Sequence, residues 1–497
     1  MTSATFPNWL HQRAALTPDR LALVFGTERW TFRDLSQRVD QTARRLAGFG
    51  IQQGDRVALL MRNGLDFATL THAVSRLGAV LIPLNIRLTA AEIVWQLGNV
   101  GAKCLIYDSA NTQIALAAAH DLPELRLTMA SPDPSGFFQL PEAEIRLQDG
   151  IDLEAVHSII YTSGTTGKPK GALLTYGNHW WSATGSALNL GLHTDDCWLA
   201  CLPLFHVGGL AILLRGIIYG NCVIIHDGFD PAAVNRAIDE DHVTTISVVS
   251  TMLQRMLDEH GERPYPPSLK YVLLGGGPAP RPLLEVCAEC GVPVVQTYGM
   301  TETASQFVTL PPEDTLRKLG SAGKPLFPNV LRIERESDNA IAVAGEVGEI
   351  VIHGPSVIRS YIDQAALHDG WLHTGDLGYR DEEGYLYVVS RRSDLIISGG
   401  ENVYPAEVEA VLLSHPAVEE AGVIGVPDER WGQVPAAAIR VREGTTPTPD
   451  ELRDYCLQRL ARYKVPSEFR FVAALPRNAA GKLLRHVLVD QWQQRNS

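Results

Sequence analysis

The chain has 497 residues, 45% hydrophobic and 20% charged, a balance that excludes a disordered polymer and exceeds one ordinary core, so at least two domains are expected. Its formal net charge of −13 argues against a nucleic-acid partner, and no uninterrupted apolar run approaches the roughly 18 residues of a membrane span. The N-terminal stretch lacks a charged start followed by an apolar core, so a cytoplasmic protein acting on small molecules is expected, with homo-oligomer formation left open.

In chain order, the first hundred residues alternate two periods. A helix opens at Thr31 to Leu35 in WTFRDL and continues amphipathically through 41–48; Val57, Ala58, Leu59 and Leu60 then read as a buried strand, and after another helix Val80, Leu81 and Ile82 read as the next. This is α/β wiring with mostly parallel strands. Over 110–152 the pattern weakens and Pro, Asp and Glu accumulate, so loop and edge elements are expected there.

Ser158 to Tyr161 form a short β-prone run that opens into TSGTTGKPKG, and Ala172, Leu173 and Leu174 resume it. Gly164 and Gly167 allow close backbone approach, the hydroxyls of Thr162, Ser163, Thr165 and Thr166 donate hydrogen bonds, and Lys168 and Lys170 supply positive charge. The stretch is built for phosphate. It is not the phosphate loop of common nucleotidases: two residues, not four, separate the glycines, and Pro169 follows Lys168 where Ser or Thr would stand.

A helix is expected over 178–190, and LACLPLFHVGGL reads as a strand and turn carrying His206, which from the residues alone is more often structural. Tyr271 to Leu274 form a strand entering Gly275, Gly276, Gly277 and Pro278, a device that places ligands at the carboxyl edge of α/β sheets. Val294 to Thr297 repeat it and open into Tyr298, Gly299, Met300, Thr301 and Glu302, a ring able to stack, a hydroxyl able to donate to phosphate and a hard oxygen ligand for Mg²⁺. From Gly345 short strands and turns follow; Asp376 in a Thr-Gly-Asp turn can accept two ribose hydroxyls, with Arg391 placed to assist. The end of the chain has its own strands, AGVIGV and AAAIRV, and helices from Pro405 and over 449–463, a small α+β unit. Seven scattered cysteines, among them Cys287 with Cys290 and Cys197 with Cys201, read as ordinary thiols and not as a disulfide or zinc framework.

Taken together, YTSGTTGKPKG, YGMTETAS, the Thr-Gly-Asp turn, SGGENVYPAEVE and PRNAAGKLLR resemble, in order, the motifs of the adenylate-forming superfamily of acyl-CoA synthetases, luciferases and peptide-synthetase adenylation domains. The resemblance implies an α/β fold with a large N-terminal domain of doubly wound sheets plus a small β-barrel-like subdomain (1–391), a hinge at Arg392, Ser393 and Asp394, and a small mobile α+β lid (395–497). Superfamily hinges commonly carry Asp or Lys where this chain has Ser393, so hinging is inferred there. It further implies that Lys482 is catalytic together with Thr301 and His206, and that Gly399 and Gly400 line a coenzyme A channel in a second lid orientation. ATP, Mg²⁺ and coenzyme A are then the reactants and metal, without a prosthetic group. Coenzyme A is expected as the thiol because no carrier domain follows Lys482, with loading of a separate carrier protein as the alternative.

Within the superfamily, YGNHWWSATGSALNLGL, LPLFHVGGL, LGGGPAPRPLLE and KLGSAGKPLFP resemble the branch that activates the succinyl carboxylate of 2-succinylbenzoate, an aromatic keto-diacid of menaquinone synthesis. Activation of another aryl or medium-chain acid is the alternative. A diacid brings a second carboxylate whose unpaired burial would cost several kcal/mol. Its candidate partners are Arg87, Arg215, Ser250 and Thr251, with His206 and Gly275 bordering the acyl group. Each has an ordinary structural reading as surface charge or helix cap.

Overall fold

The computed structural model describes residues 5–162, 169–261, 263–277, 279, 281–335, 337–391, 394–398, 401–428, 431–460, 462–478, 481 and 483–494; of Arg391 only the backbone is described. Of the sequence-derived site residues, Ser163, Gly164, Thr165, Thr166, Gly167, Lys168, Pro278, Arg392, Ser393, Gly399, Gly400 and Lys482 lie outside that set.

Two wound sheets form the bulk of the molecule. The first runs, edge to edge, Lys170–Thr175, Val156–Thr162, Val80–Pro83, Arg56–Leu60, Cys104–Tyr107 and Arg126–Met129, all parallel except the first. Alternate residues of one strand feed different cores: Leu59, Leu81 and Ile106 join one cluster, Leu60, Ile82 and Leu105 another. Both faces are therefore covered, which is why these strands read as continuous apolar runs. The Phe32–Gly48 helix supplies part of one cover, burying Phe32, Leu35, Val39, Ala43 and Leu46. Thr31 ends it cleanly, its hydroxyl accepting from the Asp34 N–H at 3.2 Å while the Asp34 carboxylate accepts from the Thr31 N–H at 2.9 Å.

The second sheet has nine strands in the order Lys324–Pro325, Ser305–Thr309, Val294–Met300, Tyr271–Leu274, Thr245–Val248, Cys197–Ala200, Cys222–Ile225, Leu21–Phe25 and Glu28–Thr31. The central six are parallel and the outer ones antiparallel. Its Leu23, Ala200, Val223 and Val295 enter the same cluster as Leu59 and Leu81, so one core is shared between the two sheets. A third, antiparallel sheet of Val330–Glu334, Gly348–His353, Leu372–Arg380 and Leu386–Arg391 forms the small subdomain around Ile333, Ile350, Ile352 and Leu386.

Beyond it, Ile396–Ser398, Glu401–Val403, Val418–Asp428, Gly432–Val441 and Glu468–Phe471 make a five-stranded sheet with the helices Pro405–Leu413, Pro449–Leu457 and Arg485–Gln494. Its clusters, around Val408, Val423, Ile439 and Leu452 and around Ile424, Leu475 and Trp492, contain no residue before Ile396. Pro405 occupies the first helical turn, as expected.

Three expectations are corrected. The 110–152 region contains a helix, Thr112–Asp121, which buries only Ala115 and Ala118 and so carries little periodic signal. The apolar run after His206 is the Val207–Tyr219 helix and not a turn; it is buried on nearly every side, which erases the helical period. The helix expected over 449–463 stops at Leu457, and Tyr463 lies in a separate turn, Arg462–Lys464.

Candidate functional site

The carboxyl ends of the central strands of the second sheet point to one edge. Thr245–Val248 runs into the helix Ser250–His260, Tyr271–Leu274 into 275–277, and Val294–Met300 into the short helix Thr301–Thr303. Gly276 has φ +79°, and a side chain there would meet Val249 Cγ1 at 3.0 Å. At Gly299 the strand bulges, and a Cβ would lie 1.8 Å from the Ser305 carbonyl oxygen, so backbone approach alone requires glycine. The chain returns through Ala304 and Ser305 at φ +52° and +95°, held by the Thr303 hydroxyl, which accepts from the Met300 N–H at 3.0 Å and donates to the Ser305 carbonyl at 2.8 Å.

These turns bring distant motifs together. Tyr298 donates its hydroxyl to Asp376 Oδ2 at 2.9 Å, and Asp376 is in turn oriented by its N–H on the Thr374 hydroxyl at 3.1 Å and by backbone pairing with Arg391. Glu302 meets the end of the first sheet: Thr162 donates to Glu302 Oε1 at 3.3 Å and Tyr361 donates to the same oxygen at 3.0 Å. Among the described residues Oε2 receives no donor, so a half-buried carboxylate with one oxygen committed and one available suits a hard divalent cation such as Mg²⁺. Burial, with Glu302 beside it, pushes the Tyr361 phenol well above its ordinary value, so it remains a donor.

The acyl candidates separate. His206 stands at the N-cap position of the Val207–Tyr219 helix, without a side-chain capping bond, beside Phe205, ring centroids 4.6 Å apart, and its Nε2 is buried with no partner among the described residues. Burial, then the charge of Arg87, lowers its pKa to about 4, so at neutral pH it is an uncharged imidazole and not an imidazolium acid. Arg87 itself is exposed. Ser250 and Thr251 lie in the first turn of the Ser250–His260 helix, half-buried.

Arg215 is buried, 3% exposed, and is no surface charge. Its guanidinium donates to Gln306 Oε1 at 2.7 Å and to Ser182 Oγ at 3.2 Å and sits 5.5 Å from the Trp198 ring centroid. Gln306 is the strand partner of Gly299, so the acceptor that holds the cation stands opposite the YGMTET segment. Among the described residues no carboxylate pairs with it, and desolvation lowers its pKa.

Three residues were not singled out from sequence. Tyr361 holds Glu302. Gln306 holds Arg215. Asn63, 8% exposed, pins the 202–206 loop by accepting from the Leu204 N–H at 2.8 Å and donating to the carbonyls of Leu202 and His226 at 2.9 and 3.0 Å. Each acts through partners at least 50 residues away, so no local pattern marks it.

The C-terminal unit reaches this edge. A bridge between Arg477 and Leu483 closes a hairpin, Arg477 donates to the Gly481 carbonyl at 2.8 Å, and Arg477 is anchored on Glu420 at 2.6 Å. Gly481 packs against the other unit: a Cβ there would lie 3.1 Å from Val249 Cγ2 and 3.6 Å from Thr251 Oγ1. Lys482, the next residue, is outside the described set.

Comparison with known proteins gives a consistent result. Residues 10–362 match the family described as AMP-binding enzyme, and residues 407–482 match the AMP-binding enzyme C-terminal domain. A 2-succinylbenzoate–CoA ligase of Geobacillus kaustophilus is 54% identical over 489 residues, 97% of each chain. Structures of o-succinylbenzoate CoA synthetase from Bacillus subtilis, 46% identical, were solved in several states. The complex with the acyl-adenylate OSB-AMP covers 98% of both chains at a TM-score of 0.91, and the complex with ATP and magnesium ion covers 98% of this chain and 100% of that one, also at 0.91. A double mutant bound to the product analogue OSB-NCoA covers 98% and 99% at 0.75.

Proposed function

The chain belongs to the AMP-binding enzyme family, and from that premise we propose that it is a 2-succinylbenzoate–CoA ligase of menaquinone synthesis, acting in the cytoplasm on small molecules. A carboxylate is a poor acylating agent. Its oxygen attacks the α-phosphorus of ATP, forming the mixed anhydride as the bond to the β-phosphate breaks and pyrophosphate leaves. The thiolate of coenzyme A then attacks the acyl carbon and AMP departs.

The family position and the geometry support a division of roles. Thr162 and the loop 163–168 hold the leaving phosphates, Tyr298 and Asp376 the adenosine with Arg391, the 275–278 turn and Thr301 the α-phosphate side, and Lys482 the charge developing there. Mg²⁺, when bound, would neutralise charge on the phosphates; Glu302 would hold it. Residues 1–391 then form the nucleotide-binding domain and 395–497 a lid pivoting at 392–394, with Gly399 and Gly400 serving coenzyme A. The closer likeness to the adenylate and ATP complexes than to the product-analogue complex, and the seat of Gly481 on Val249 and Thr251, support a lid standing in the adenylating arrangement.

The observation that carries the substrate is Arg215. A guanidinium buried on Gln306 and Ser182 with no carboxylate partner among the described residues is an expensive arrangement that a second substrate carboxylate would offset. 2-Succinylbenzoate should exceed benzoate, hexanoate and cinnamate in kcat/KM by at least ~100-fold, measured as CoA-dependent AMP release. Arg215→Met should erase most of that preference while leaving benzoate turnover near its original value. Comparable turnover of hexanoate by the wild type would move the protein to a general acyl-CoA ligase.

A further inference from the structure

Tyr361 touches both the exit of the glycine-rich loop and the carboxylate of Glu302. Its backbone is fixed first: the Ile362 N–H donates to the Gly171 carbonyl at 2.8 Å, the Leu173 N–H donates to the Ser360 carbonyl at 3.3 Å, and Tyr361 stands opposite Ala172 in an antiparallel bridge. The approach is close enough that a Cβ on Gly171 would lie 3.0 Å from Ile362 Cγ2. With the main chain so placed, the ring lies beneath Lys170, whose Nζ is 5.6 Å from its centroid, and the hydroxyl reaches Glu302 Oε1 at 3.0 Å.

A glutamate side chain at a strand exit has three rotatable bonds, and one hydrogen bond leaves its carboxylate able to swing. Two donors on the same oxygen, Thr162 and Tyr361, restrict that swing and leave Oε2 without a donor among the described residues. The two donors come from segments about 200 residues apart, so the carboxylate is set by the fold and not by its own turn. We propose that Tyr361 is a positioning residue for the ligation: its hydroxyl, with Thr162, holds Glu302 in the orientation that meets the divalent cation carried by ATP, while its ring holds Lys170 at the loop exit. This rests on the ligase reading above.

Tyr361→Phe keeps the ring and removes only the hydroxyl. The Mg²⁺ concentration that half-saturates 2-succinylbenzoate-dependent ATP–pyrophosphate exchange should rise about 10-fold, the size of one hydrogen bond to a charged group. Mn²⁺ affinity in the complex with a non-hydrolysable α,β-methylene ATP analogue, read by electron paramagnetic resonance without turnover, should weaken by a similar factor. Thioester formation from supplied acyl-adenylate should not change, and in a Glu302→Gln background Tyr361→Phe should have no further effect on Mn²⁺ binding. Thr162→Val, which removes the other donor, should weaken Mn²⁺ binding in the same direction, by an amount that disappears in a Glu302→Gln background as a loss of phosphate contact would not, and serves if Tyr361→Phe folds poorly. Wild-type Mn²⁺ affinity and Mg²⁺ midpoint in these variants, whatever their melting temperatures, would overturn the inference. A wild type with no exchange at all would instead defeat the ligase reading.

Discussion

Tyr298 and Asp376 make the two adenosine contacts expected from sequence depend on each other, because the phenol of one is bonded to the carboxylate of the other. Asp376 is 6% exposed, so it belongs to the packing of the subdomain as well as to the site. The two roles separate by substitution. Asp376→Asn keeps an oxygen for Tyr298 and removes the charge, and should raise the KM for ATP about 10-fold with an unchanged melting temperature. Asp376→Ala also takes that acceptor from Tyr298 and should lose roughly 1–3 kcal/mol of stability in addition. If the asparagine variant melts as low as the alanine one, the charge is structural. At this scale, Tyr298, Thr301 and Glu302, set within five positions of YGMTETAS, were readable together as one motif. Arg215 was legible only as a candidate, because nothing in LLRGIIYG says that every neighbouring side chain of its helix is buried too.

Between the helices Leu65–Leu77 and Tyr176–Leu190 and the strand Val156–Thr162 lies a set of enclosed imidazoles. His157 packs edge-on against His179 and Tyr176, with centroids 4.9 Å away in both cases, and His179 shares a 3.2 Å hydrogen bond with Ser158. Burial lowers the pKa of His72 to about 4 and of His179 to about 3, and drives His157 well below its ordinary value, helped by the charges of its two histidine neighbours. In the unfolded chain each would bind a proton near pH 6.5, so the unfolded state holds more protons below that pH. Stability is therefore complete above about pH 6.5 and falls as the pH drops towards the folded values, by about 1.4 kcal/mol per pH unit for each histidine. Urea midpoints should fall steeply between pH 6.5 and 5, a range in which ordinary carboxylates contribute little. His157→Phe should flatten the dependence by one proton; an unchanged slope would show that His157 does not titrate on unfolding. The elements themselves were legible where amphipathic or β-branched runs repeat, as at Phe32–Gly48 and Tyr271–Leu274, and illegible where a helix is apolar on all sides or buries only alanines.

On the scale of the whole molecule, the C-terminal unit is tied to its own entry point: Arg485, three residues beyond Lys482, donates to Asp394 at 3.1 Å and to both oxygens of Glu409 at 2.6 and 2.7 Å. A turn at 392–394 would therefore carry the Gly481 hairpin with it as one body. If the proposed roles hold and the lysine serves only one arrangement of the C-terminal unit, Lys482→Ala should slow adenylate formation by at least ~10²-fold while thioester formation from supplied adenylate stays within about tenfold. Equal loss in both half-reactions, measured separately, would end the two-arrangement account. The α/β class and the small C-terminal unit were legible in the alternation of periods; the orientation of that unit was not, because it is decided by contacts such as Gly481 on Val249, more than 200 residues apart. The order of strands in the nine-stranded sheet bears on something else, the history of the chain as it is made. Leu21–Phe25 is among the first segments to emerge, yet its parallel partner is Cys222–Ile225, while the whole of the six-stranded sheet, from Arg56–Leu60 to Lys170–Thr175, is synthesised in between. The inner sheet can close on itself while its N-terminal neighbour still waits, holding Val24, whose buried cluster partners begin at Cys197, exposed for about 200 residues of synthesis, some 10–40 seconds at ordinary ribosome speeds. During that interval the hairpin of Leu21–Phe25 with Glu28–Thr31 is an unpaired sheet edge, and it is there that a nascent chain of this protein would call on a chaperone.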